Sequence, residues 1–195
     1  LSHANTARLP AWSAILAALV LCLGLSAPAQ GDDREPFAIE DVTVDLEDGV
    51  YRLDARIRYR LPDGVREAVT NGVPIVLEVD IDLLRRRGWW WDEQVAGLLQ
   101  RYRLRYHALT RQYTVTNLNT EAQRTFPTLG SALQALGRLQ GLPAFDASLL
   151  REGGDYRLRM QARLNVDELP LPLRVRGYLF SDWRPESPWR TWPLP

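Results

Sequence analysis

The chain has 195 residues, with 24 basic and 24 acidic side chains, and every basic one is arginine. The absence of lysine excludes Schiff-base chemistry and a phosphate-loop lysine, and the balanced charge gives no electrostatic footprint for nucleic acid. The length suits one domain with a real core.

Residues 1–29 read as a signal peptide. Arg8 lies in a short leader, residues 14–25 are almost wholly apolar, and Ala27-Pro28-Ala29 has the small-x-small form of a cleavage site. The apolar run is shorter than the roughly 20 residues of a spanning helix; an uncleaved inner-membrane anchor is the competing reading. Leu21 stands before Cys22 where a lipobox needs a small residue. The expected location is therefore the periplasm. Cleavage removes His3 and Cys22, leaving His107 as the one histidine and no thiol. That excludes disulfides, thiolate catalysis and Cys/His metal sites, and no cofactor is expected.

Residues 30–36 read as a polar linker, 37–182 as a single β-rich domain, and 183–195 as a Trp- and Pro-rich tail packed on it. A first strand is expected from Phe37 to Leu46, with a turn at Glu47-Asp48-Gly49. In the second, Tyr51, Leu53, Ala55, Ile57, Tyr59 and Leu61 alternate with Asp54 and four arginines, the period of a half-buried strand. Residues 65–70 allow one helical turn before Asn71-Gly72.

Next comes a long hairpin. Ile75, Leu77, Val79, Ile81 and Leu83 point inward, and Glu78, Asp80 and Asp82 are expected outside, facing the arginines of the second strand as cross-strand neighbours. The return arm, residues 98–107, places Leu98, Tyr102, Leu104 and Tyr106 inward, and Arg101, Arg103, Arg105 and His107 outward. Further strands are expected over 110–118 and 121–126. A covering helix is expected over about 128–140, capped by Thr128 and stopped by Gly141. Residues 142–151 read as irregular, 156–166 as a strand, 169–173 as a proline-bearing edge, and 174–180 as the last strand. The fold class is mainly β: an antiparallel curved sheet or β-sandwich of seven to eight long strands with that one helix.

The stretch Arg85-Arg86-Arg87-Gly88-Trp89-Trp90-Trp91-Asp92-Glu93 joins the hairpin arms. Extending the strand phase makes Trp89 and Trp91 core residues. Arg85, Arg86, Arg87, Trp90 and Asp92 remain as the candidate interaction site, because Trp and Arg are the residue types enriched at binding hot spots. A membrane-surface contact is a further reading of the same tip. His107 sits among arginines that repel a cation. Glu78, Asp80 and Asp82 form a straight row without the turn carbonyls of a calcium loop. Ser131 lacks the flanking pattern of a nucleophile elbow. No catalytic or metal-binding residue is assigned.

Asn71-Gly72-Val73-Pro74, Arg87-x-Trp89-Trp90-Trp91-Asp92, Arg103-Leu104-Arg105-Tyr106-His107-Ala108-Leu109, Tyr113, Leu169-Pro170-Leu171-Pro172-Leu173-Arg174 and the Trp-rich tail together resemble a family of proteobacterial exported proteins. That family is grouped only as a domain of unknown function, and some members are labelled proline-rich signal-peptide proteins. The resemblance implies an envelope location and a gene that neighbours a sensor histidine kinase. It carries over no catalytic residue. The expected function is a non-enzymatic interaction or sensory-accessory module with an envelope protein partner, a membrane sensor kinase being one candidate. The alternative is a carrier of a lipid or other apolar ligand, held in a cleft between helix and sheet.

Overall fold

A computed structural model describes residues 35–88 and 91–194. The elements are β1 (Phe37–Glu47), β2 (Val50–Tyr59), α1 (Asp63–Thr70), β3 (Ile75–Arg85), β4 (Glu93–His107), β5 (Gln112–Asn117), β6 (Gln123–Phe126), α2 (Leu129–Leu136), β7 (Arg138–Asp146), β8 (Tyr156–Leu164), α3 (Leu171–Leu179) and β9 (Arg190–Pro193). They make two antiparallel sheets, β1-β2-β7 and β6-β5-β4-β3-β8-β9. The mainly β, sandwich-like class read from the alternation is the one observed. Nine strands are present among the described residues, and β6 and β9 have only four residues each.

The core lies between the sheets. β2 contributes Leu53 and Ile57, β3 contributes Ile75, Leu77, Val79, Ile81 and Leu83, and β8 contributes Leu158, Met160 and Leu164; all are buried. Burying one such aliphatic side chain is worth about 1.5–3 kcal/mol, so β3 and β8 anchor the large sheet. β3 lies at its middle, with β4 on one side and β8 on the other.

This order corrects the expected pairing of β2 with β3. The two belong to different sheets, and the acids of β3 instead face arginines of β4 and β8: Glu78 lies opposite Arg101 and Arg163, and Asp82 opposite Arg159. The expected exposure is corrected too, since Glu78 is 4% and Asp82 8% exposed. Arginine side chains from both neighbouring strands fold over Glu78, and Arg159 of β8 with Gln94 of β4 over Asp82.

The covering helix is shorter than expected. Thr128 caps it through a reciprocal bond with Ser131, the capping-box arrangement, but it ends at Gly137 rather than near 140. Ile57 N–H donates to Gly137 C=O at 2.7 Å, and a Cβ on Gly137 would lie 2.0 Å from Ile57 O. The chain then pairs with β2 as β7, so residues 138–146 form a strand, where helix and then irregular chain were expected. Gly141 adopts φ +56°, but inside β7, close to a shift in the pairing with β2 between Leu53 and Ala55. Its left-handed conformation serves an irregularity in a strand rather than a helix stop.

Residues 171–179 form α3, where an edge and a last strand were expected. Pro170 is the N-cap and Pro172 lies in the first turn, where a missing N–H loses no helical bond. Leu173 N and Arg174 N donate to Pro170 O, both at 2.9 Å. In the tail, β9 pairs with β8, and Ser187 N donates to Ala162 O at 2.8 Å.

Candidate functional site

The hairpin tip is braced from its base. Glu93, the first residue of β4, accepts from both Arg85 and Arg87, the latter at 2.7 Å. These two hydrogen bonds, Arg87 first, hold the Glu93 carboxyl below its ordinary pKa. Arg86 N donates to Asp155 O at 2.9 Å, and its guanidinium stands 3.6 Å from the Asp155 carboxylate. The three arginines thus share a carboxylate-braced platform instead of radiating freely.

Trp91, two residues before Glu93, is 80% exposed, which overturns its expected place in the core. β3 ends at Arg85 after a register shift at Leu83/Leu84, so the alternation that pointed Trp91 inward has no meaning beyond that point. Asp92 is exposed as well. Trp89 and Trp90 lie outside the described residues. Of the expected interaction residues, the structure therefore brings Arg85, Arg86 and Arg87 together around Glu93 and Asp155, with Asp92 and the exposed Trp91 following on.

The carboxylate row on β3 is a closed ionic network. Glu78 accepts from Arg163 Nε and Nη2 at 3.1 and 2.8 Å, from Arg101 Nε at 3.2 Å and from Asn165 Nδ2 at 2.6 Å. Asp82 accepts from Arg159 Nη2 at 2.6 Å and Gln94 Nε2 at 2.8 Å. Arg159 also stacks over Trp189, 4.4 Å from the ring centroid. Asp80 Oδ2 is buried and lies 2.5 Å from Arg163 Nη1. Burial, the largest influence, raises the Asp80 pKa, with Arg163 opposing and Glu78 and Asp82 adding to the rise. Carboxylates bound in this way are structural, and arginines occupy the positions a cation would need. Among the described residues no group of three or more His, Cys, Asp or Glu side chains is placed to hold a metal.

A cleft of about 560 Å³ opens between α2 and β2, where the carrier reading places one. Ile57 and Leu133 contribute to its walls, but so do Arg56, Arg58 and Arg138, against the single carboxylate of Glu40. Its lining is cationic as well as apolar, and this charge was not visible in the sequence because Arg138 was assigned to a helix.

A second feature escaped the sequence reading. On and just after α3, Leu171, Val175, Tyr178, Leu179 and Phe180 are all exposed. The i, i+4, i+7, i+8 spacing of Leu171, Val175, Tyr178 and Leu179 was the available signal, masked by an equally good period of two. Among the described residues no helix is long and apolar enough to cross a membrane.

A two-sheet antiparallel β protein with a braced Arg/Trp hairpin tip and a cationic helix–sheet cleft is thus defined. Residues 34–193 match the model of the family described as Domain of unknown function (DUF4390), and the chain belongs to that family. No curated protein and no solved structure matches it.

Proposed function

We propose that the protein is an exported, non-enzymatic interaction module of the cell envelope, engaging a protein partner through the β3–β4 hairpin tip. The observation that carries this reading is Trp91: a large aromatic side chain, 80% exposed, next to a platform of arginines held by Glu93 and Asp155. An aromatic beside preorganised guanidiniums is the make-up of a binding hot spot, and bracing in the free protein lowers the ordering cost on association. Arg86 and Arg87 keep 58% and 50% of their side chains exposed, so they remain able to meet acidic groups on the partner. The leader pattern of residues 1–29 supports export. A membrane sensor kinase is a candidate partner through the gene-neighbour implication alone. The carboxylates of β3 are engaged by arginines, which supports a binding role.

The test is cross-linked capture from the native envelope with the full chain, comparing wild type, Trp91→Ala and Arg86→Ala. One partner band that weakens strongly in both variants is the expected result. Equal capture by all three proteins would sink the reading.

A further inference from the structure

Arg56 on β2 and Arg138 on β7 sit directly opposite each other across antiparallel strands. Like charges in that relation repel, and the surroundings neutralise them incompletely. Arg56 has only a solvent-exposed pair with Asp41 at 3.3 Å, and the Arg138 side chain makes no ion pair or hydrogen bond with a described residue. Arg58 gives its Nε to Glu40 at 2.9 Å, while its Nη1 is buried without a hydrogen-bond partner. All three arginines line the cleft of about 560 Å³ beside α2. Arg138 also lines two neighbouring clefts of about 380 and 300 Å³, the first shared with Arg56 and the second with Arg124. Arg138 therefore stands where three depressions meet.

We propose that this junction binds a phosphate group, with Arg56 and Arg138 as its principal ligands and Arg58 at its edge. One bidentate guanidinium saturates a carboxylate, whereas a phosphate monoester presents three oxygens and close to two charges, enough to occupy two opposed guanidiniums at once. Bound phosphate would turn the Arg56/Arg138 repulsion into a shared attraction. Glu40 lines the same cleft and Asp41 the first neighbouring one as rival anions, paired with Arg58 and with Arg56 respectively, and neither reaches Arg138. Asp54, in the neighbouring cleft, accepts from Gly141 N at 2.6 Å. Arg138 is thus the uncompensated charge. The phosphate could come from a soluble ion or from a lipid headgroup, and the test separates these sources. This inference is independent of the hairpin-tip reading.

The test is calorimetric titration of the full chain with inorganic phosphate, with short-chain phosphatidic acid below its micelle concentration, and with the matching phosphatidylcholine. Saturable binding of inorganic phosphate or of phosphatidic acid, weakened about ten- to a hundredfold in Arg56→Gln and in Arg138→Gln and unchanged in Arg105→Gln, is expected. Arg105 is an exposed β4 arginine that lines none of these clefts. Tighter binding of phosphatidic acid identifies a lipid source, and equal or tighter binding of inorganic phosphate a soluble one. The ligand-free Arg138→Gln protein should melt no lower than wild type, since it loses a repulsion and no bond. No saturable binding of either inorganic phosphate or phosphatidic acid, undiminished binding by Arg138→Gln, an equal loss in Arg105→Gln, or equal affinity for phosphatidylcholine would each overturn the proposal.

Discussion

Arg163 grips Glu78 through both Nε and Nη2, at 3.1 and 2.8 Å, across the β8–β3 boundary. Arg101 and Asn165 complete the shell around a carboxylate that is almost wholly buried. The charge of Glu78 is what reconciles two arginines from strands on either side. Glu78→Gln should therefore destabilise the fold by about 2–3 kcal/mol, through the loss of charge-assisted hydrogen bonds and the imbalance left behind. Urea denaturation checks this as a lowered midpoint at unchanged slope.

Asp80, two residues on, should behave in the opposite sense. Burial raises its pKa in the folded protein above the ordinary 3.8. Leu99 and Gln161 lie opposite it on the neighbouring strands, and at Asp80 itself Arg163 opposes the effect of burial and of the Glu78 and Asp82 charges. In the acidic window just above 3.8 the folded state holds a proton that the unfolded chain releases, so this group's contribution to stability falls as pH rises through that window and then levels. Asp80→Asn should remove this trend, with its stability relative to wild type improving from acid to neutral pH. Denaturation of both proteins across that range measures the difference.

Gly137 is fixed by close approach. Any Cβ there would meet Ile57 O at 2.0 Å, at the point where α2 gives way to β7. Gly137→Ala should lower stability by at least about 2 kcal/mol and perturb the amide of Ile57, which donates to Gly137 O. Hydrogen exchange at Ile57 provides a local readout. Thr128→Ala, which removes the cap at the other end of α2, should cost about 1 kcal/mol.

Much of the small-scale order was legible. The alternation of residues 51–59 identifies β2, and Thr128 marks the start of α2. Three features were not legible, each for a physical reason. Residues 171–179 satisfy a period of two and a helical stripe equally well; the two prolines, read as marks of an edge strand, fit the first turn of a helix better. Gly141 signalled a left-handed residue without saying whether a helix end or a strand irregularity needed it. Trp91 was assigned by carrying the phase of β3 past the residue where β3 stops. Partners are harder still to read, because alternation identifies the acidic face of β3 but not which arginine strand lies beside it. The cleft charge depended on that long-range pairing, and so did the opposition of Arg56 and Arg138.

Trp91 packs its ring into solvent rather than into the core, so Trp91→Ala should leave the melting temperature within about 2 °C of wild type, as surface substitutions generally do. A fall as large as that of Gly137→Ala would return Trp91 to a structural role.

Contact between the hairpin tip and an envelope partner can be caught by placing a photo-activatable residue at position 91 of the exported full chain in its native host. Position 109, fully exposed in the turn after β4, serves as the control. A discrete cross-linked species from position 91 that is absent from position 109, and that disappears when Arg86 is also changed to Ala, is the result expected. No adduct at position 91, or the same adducts from both positions, would contradict it.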